Sequence, residues 1–270
     1  MIKSISIIGG GNLAQCFVDR IIACKKSHKV SIFDIDKKKN KYSTKRNIRF
    51  YSSIDQNLSE SQLILLAIKP NDFKLISKDI IEYGNKKSTV LSLMAGSKLN
   101  VIDKSLNKIF YTARIMTNIN AQFGNAQSFI FTRGSFPKNR LDSVINFLNL
   151  FGTTTKVNTE IQIDKLTALC GSGPAYFLYF TQIVKDTFKK FGFRDDQAEE
   201  LSRNLFYSTG YTCYHNKNNM EDIKKTIVSK KGTTEAALNR MKEKNIRKII
   251  MESIDQAYKK SIQLGKRTND

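Results

Sequence analysis

The stretch Ile7-Ile8-Gly9-Gly10-Gly11-Asn12-Leu13-Ala14 decides how the rest of the chain is read. The apolar, β-branched run from Ser4 to Ile8 predicts a buried strand, and three glycines directly after it predict a tight turn. From Asn12 to Ile22 the apolar positions Leu13, Ala14, Phe17, Val18, Ile21 and Ile22 recur at helical spacing, so a helix leaves the turn. In this frame Gly9, Gly11 and Ala14 form the pattern GxGxxA. Gly9 permits the tight turn, Gly11 lets a pyrophosphate approach the backbone, and Ala14 lets helix pack closely on strand. The helix start at Asn12 and Leu13 offers N–H groups and partial positive charge to phosphates.

Outward from this turn, strand patterns recur at Lys29–Phe33, Ile48–Tyr51, Leu63–Ile68, Thr89–Leu93, Ile109–Thr112 and Ser128–Phe131, with helical patterns between several of them. That alternation predicts an α/β, Rossmann-type, doubly wound parallel sheet. Asp34, at the end of the second strand, stands where a carboxylate accepts hydrogen bonds from an adenosine ribose and repels a 2′-phosphate. Asp34 therefore favours NADH, whereas Lys37, Lys38 and Lys39 pull toward NADPH if they fold back. The segment Ala67-Ile68-Lys69-Pro70 ends a buried strand at the carboxyl edge of the sheet, where ligands of this fold bind. After about Thr159 strand patterns cease and helical ones take over, which predicts domains over 1–159 and 160–270. The helix with Tyr176, Phe177, Tyr179, Phe180, Ile183 and Val184 is apolar nearly all round, as expected of a helix buried by more than its own chain.

Composition narrows the function classes. The chain has 270 residues, 40% of them hydrophobic, and a formal net charge of +21. Its lysines are dispersed through helical patterns and mixed with Asn and Ile, so the charge reads as a solvated basic surface and nucleic acid is not expected as a partner. Cys16, Cys24, Cys170 and Cys213, with His28 and His215, have no metal-like spacing, and no metal is expected. No apolar run approaches the roughly 20 residues that span a bilayer. The expected location is cytoplasmic.

A second stretch, Val228 to Leu238 (VSKKGTTEAAL), interrupts a helical region with a glycine and two threonines. Thr233 or Thr234 is expected to cap a helix starting there, and its first N–H groups can hold an anion. The segment Gly171-Ser172-Gly173-Pro174 similarly predicts a helix start.

In this order the segments IIGGGNLA, LLAIKP, LSLMAGS, RIMTN, LTALCGSGPAYF, IVSKKGTTEAAL and ESIDQAYKKSIQLGK resemble the pyrroline-5-carboxylate reductase family along nearly the whole chain. The resemblance implies an oxidoreductase acting on a CH–NH group in proline biosynthesis, reducing 1-pyrroline-5-carboxylate to L-proline with NADPH or NADH. It implies an all-α dimerisation domain, hence a homodimer that leaves room for a larger assembly of dimers. It adds Ala95 and Asn118 to the cofactor contacts. Ser229, Gly232, Thr233 and Thr234 become substrate-binding residues, with Thr234 beside the ring nitrogen as the catalytic group. Ser172, Gly173 and Pro174 join the substrate pocket.

The chain departs from the family pattern at three places. Lys230 and Lys231 replace a proline and a glycine before the threonines, Thr117 and Asn120 replace two prolines around Asn118, and Asp34 is acidic where many members are uncharged. Two alternatives are another imine or 2-oxo/3-hydroxy acid oxidoreductase of the same architecture, and a non-catalytic dinucleotide-binding relative. In that class of dehydrogenases a catalytic lysine typically follows a glycine-rich turn, but here the helix after Gly173 reaches Lys185 only late.

Overall fold

The computed structural model describes residues 2–25, 27–40, 47–134 and 136–266. They fall into two compact units, residues 1–172 with 257–270, and residues 173–256. The expected boundary at 159–160 falls where a helix begins inside the first unit.

The first unit is built on an eight-stranded sheet: β1 (Ser4–Ile8), β2 (Lys29–Phe33), β3 (Ile48–Tyr51), β4 (Leu63–Leu66), β5 (Thr89–Ser92), β6 (Tyr111–Met116), β7 (Ala126–Thr132) and β8 (Gly152–Lys156). The spatial order is β3-β2-β1-β4-β5-β6-β7-β8. The pairings from β3 to β6 are parallel, β7 runs antiparallel to β6, and β8 is parallel to β7. The antiparallel β7 departs from an all-parallel sheet. The turn after β6 is short enough to reverse the chain without a crossover helix.

Residues 63–66 and 89–92 are buried throughout, which is why β4 reads as a continuous apolar run, while β5 buries Thr89 and Ser92 along with Val90 and Leu91. Alternation divides their side chains between two cores. Ile5, Ile7, Leu63 and Leu65 face Phe17, Val18 and Ile21 of α1 (Asn12–Ala23) and Val144 and Phe147 of α4 (Lys138–Leu148). Ile8, Ile64 and Leu66 face Phe73 and Ile80 of α2 (Pro70–Tyr83) and Ile102 of α3 (Leu99–Ser105). Each such side chain, fully buried, stabilises the fold by about 1.5–3 kcal/mol.

After β8 the chain enters α5 (Glu160–Leu166), then a π-helical turn over Thr167–Gly171. The second unit carries α6 (Gly173–Lys190), α7 (Asp195–His215), α8 (Met220–Ile227) and α9 (Thr233–Glu243). The last helix, α10 (Ile246–Lys266), begins there and ends in the first unit. Within the second unit the apolar side chains of α6 and α7 stand unusually exposed, Tyr179 at 70% and Tyr214 at 84%. Among the described residues no helix is long and apolar enough to cross a membrane.

Candidate functional site

The carboxyl ends of β1, β2, β4 and β5 bring the glycine turn, Asp34, Ala67 and Ala95 to one edge of the sheet. Gly9 has φ +98°, and a Cβ there would lie 2.5 Å from the Ala67 carbonyl oxygen, so only glycine lets the β1 and β4 ends meet. Gly11 has open space where its Cβ would be. It caps α1 through an extended backbone (φ −68°, ψ −178°), and no side chain caps the helix start at Asn12, Leu13 and Ala14. An uncapped helix N-terminus beside a cradle that a side chain would fill fits a pyrophosphate. Lys69 is the N-cap of α2 with Pro70 at its start, and its side chain is exposed.

Asp34 does more than the sequence suggests. Its Oδ2 accepts the Gly10 N–H at 2.6 Å and the Lys39 ammonium at 3.0 Å, and its Oδ1 accepts the Asp36 N–H at 2.8 Å. Burial favours the neutral acid, but the donated hydrogen bonds from Asp36, Gly10 and Lys39 outweigh it and hold the carboxyl below its ordinary value. Of the three lysines after Asp34, it is Lys39 that folds back; its stem packs over Gly10, whose Cβ would stand 3.2 Å from that of Lys39. The short turn Lys37–Lys39 that allows this is capped by Asp36, which accepts the Lys38 N–H at 3.0 Å.

Farther along the edge, a cleft of about 70 Å³ is lined by Leu13, Met94, Ala95, Met116, Thr167 and Gly171. A larger cavity of about 580 Å³, lined by Gln62, Thr89, Tyr111 and Arg140, lies at the amino ends of the strands, away from the glycine turn. The fold places its ligands at the opposite edge. Asn118, buried after β6, accepts the Asn120 N–H at 3.0 Å and donates to the Cys170 carbonyl at 2.9 Å. It thereby fastens the turn that carries Gly171 and Ser172. Ser172 closes that turn, its N–H donating to the Thr167 carbonyl at 3.0 Å.

Sequence reading gave no role to the buried charges behind this edge. Arg114 on β6 is 1% exposed and pairs with Glu160 at 3.0 Å and Asp164 at 2.8 Å on α5. Lys98 reaches the other Asp164 oxygen at 2.7 Å, and the Leu99 N–H donates to Glu160 at 2.6 Å. The signal was present: one arginine within an apolar strand, and two carboxylates four residues apart on one helix face.

In the second unit, α6 opens with Gly173, buried, and Pro174 at its first turn. The cap of α9 differs from expectation: Gly232 is the N-cap, and Thr233 and Thr234 are the first two helical residues with no side-chain cap. Gly232 fits because a Cβ there would fall on the Ser229 hydroxyl, and the Gly232 N–H closes a turn onto the Ser229 carbonyl at 3.0 Å. Lys231 takes the left-handed conformation, φ +60°, at a cost of about 1–2 kcal/mol. Its N–H donates to the Glu235 carboxylate at 2.7 Å, so Glu235 serves the residue before the cap and leaves the first-turn N–H groups without a side-chain acceptor. Among the described residues no group of three or more His, Cys, Asp or Glu side chains is placed to hold a metal.

Both halves of the chain resemble known proteins. Residues 4–96 match the family described as NADP oxidoreductase, coenzyme F420-dependent, and residues 160–264 match pyrroline-5-carboxylate reductase dimerisation. A pyrroline-5-carboxylate reductase of Staphylococcus haemolyticus is 31% identical over 263 residues, covering 96% of each chain. The same fold occurs in the pyrroline-5-carboxylate reductase of Coxiella burnetii (TM-score 0.84, 22% identity, 98% of this chain and 99% of that one). It occurs also in a Plasmodium falciparum pyrroline carboxylate reductase crystallised with NADP bound (TM-score 0.87, 19% identity, 98% of both chains).

Proposed function

The chain belongs to the pyrroline-5-carboxylate reductase family, and from that premise we propose that it reduces 1-pyrroline-5-carboxylate to L-proline at the two elements just described. The observation that carries the reading is the pair of uncapped helix starts, one after Gly11 in a dinucleotide-binding frame and one after Gly232 in the Gly-Thr-Thr turn.

A reduced nicotinamide supplies the hydride that converts the C=N carbon to CH–NH. The chain's residues have three tasks. The glycine turn and the start of α1 hold the pyrophosphate, and Asp34 with Lys39 meets the adenosine ribose. The first N–H groups of α9 hold the substrate carboxylate, with the Ser229 hydroxyl as a further donor and Lys230 and Lys231 adding positive charge. Thr234 orients the ring nitrogen. The imine binds protonated, so hydride addition gives the neutral amine directly, and Thr234 positions the group without having to titrate. Ser172, Gly173 and Pro174 line the substrate pocket, and Ala67, Lys69, Pro70, Ala95 and Asn118 support the cofactor.

The cofactor is a nicotinamide dinucleotide, and we infer that both forms are used with a preference for NADH. Asp34 disfavours a 2′-phosphate, while Lys39, already seated on Asp34, softens that rejection. The exposed apolar faces of α6 and α7, together with the match to a dimerisation family, support a homodimer. Light scattering that returned a monomer would contradict it. The activity is tested by following loss of reduced-nicotinamide absorbance with 1-pyrroline-5-carboxylate and quantifying proline: one proline per dinucleotide oxidised is expected, and oxidation without proline would refute the assignment.

A further inference from the structure

The end of α10 meets the loop after β5 at a contact with no room for a side chain. Gly96 in that loop has φ +74°, and a Cβ there would lie 2.5 Å from both the Gly265 nitrogen and the Ser261 carbonyl oxygen. A Cβ on Gly265 would fall on the Gly96 carbonyl oxygen. Backbone therefore packs on backbone, and among the described residues the Ser97 Oγ and Ser261 Oγ beside it are buried without a hydrogen-bond partner. From the other side the same loop is tied to α5 through Lys98 with Asp164 and the Leu99 N–H with Glu160.

Directly before Gly96 in the same loop stand Met94 and Ala95, which line the cleft at the carboxyl edge. The strand order says which part of a dinucleotide they would meet. Asp34 ends β2 and Gly11 follows β1, so the adenosine and pyrophosphate occupy that side, and the molecule continues over β4 toward β5. The loop after β5 thus faces the nicotinamide half.

We propose that Gly265, at the end of the last helix, is a positioning residue for the nicotinamide half of the cofactor, acting through Gly96 on Met94 and Ala95. The proposal rests on the dinucleotide reading of the glycine turn. A methyl group at Gly265 displaces the loop that forms the cleft floor, whereas the pyrophosphate cradle at Gly9 to Ala14 is made by other segments and stays in place.

The test compares NADH and NADPH with ADP-ribose, which carries the adenosine and both phosphates but no nicotinamide. Binding is measured by titration calorimetry to the unaltered protein, Gly265→Ala and Gly96→Ala. For both variants the reduced dinucleotide is expected to bind about tenfold more weakly, while ADP-ribose stays within about twofold. Equal weakening of both ligands, including their joint loss in an unfolded variant, would overturn the proposal and assign the contact to stability alone; so would unchanged binding of both. If the unaltered protein bound neither NADH nor NADPH, the dinucleotide reading itself would fall, and this proposal with it.

Discussion

Asn118 and Cys170, 52 residues apart in sequence, are joined by a hydrogen bond of 2.9 Å from the Asn118 amide to the Cys170 carbonyl. Because a π-helical turn leaves carbonyls poorly matched to intrahelical donors, this side chain fixes a turn that would otherwise have alternatives. Asn118→Ala is expected to lose about 1–3 kcal/mol of stability, read by urea denaturation, and to slow turnover. Asn118→Asp keeps the acceptor for the Asn120 N–H but sets a carboxylate against the Cys170 carbonyl. A variant with Asp as stable and active as the unaltered protein would remove this role.

The ion pair of Asp34 and Lys39 makes cofactor choice a two-residue property. Lys39→Ala is expected to lower kcat/KM for NADPH about 5- to 10-fold, the scale of one partly exposed charge contact, with NADH changed much less. Parallel steady-state rates with the two cofactors decide it, and an equal fall for both would show that Lys39 does not meet the 2′ position.

Asp34 also gives a signed pH dependence. Its carboxyl is held below the ordinary value in the folded protein, so its stabilising contribution is present above the unfolded value of about 3.9 and is lost as pH falls through the lower folded value. Thermal denaturation of the unaltered protein and Asp34→Asn from neutral pH to about pH 3 is expected to show a constant gap that closes only on the acid side of that range. A gap that opened on acidification would have the wrong sign.

Arg114 has both its carboxylate partners buried or nearly so, whereas the Lys98 side chain is 35% exposed. Removing the guanidinium leaves Glu160 with no cationic partner and Asp164 with Lys98 alone, so Arg114→Met is expected to cost about 3–5 kcal/mol. Lys98→Met is expected to cost clearly less, because water reaches its end of the network. Chemical denaturation of the two variants gives the comparison, and equal losses would contradict the network as described.

Much of this was legible because the glycine turn and the apolar runs of β1 and β4 are local signals, fully specified within a few residues. Strand β8 was not, since Gly152-Thr153-Thr154-Thr155-Lys156 is a polar edge strand whose pairing with β7 supplies what its sequence lacks. The cap at Gly232 was misassigned to the threonines because β-branched hydroxyl residues cap helices in general; here the close approach of Ser229 gives that place to glycine. The Asp34–Lys39 pair depended on which of three adjacent lysines turns back, and the Gly96–Gly265 contact spans most of the chain. Neither has a local pattern.

The most direct test of the account is the turnover of Thr234→Ala against the unaltered protein, with 1-pyrroline-5-carboxylate and each reduced cofactor, alongside cofactor affinity. The variant is expected to fall by about 10- to 100-fold in kcat/KM, the scale of a group that positions the reacting atom, while cofactor affinity is unchanged. Undiminished turnover in the variant, or no proline formed by folded unaltered protein that binds the cofactor, would contradict the assignment of the Gly-Thr-Thr turn to the substrate.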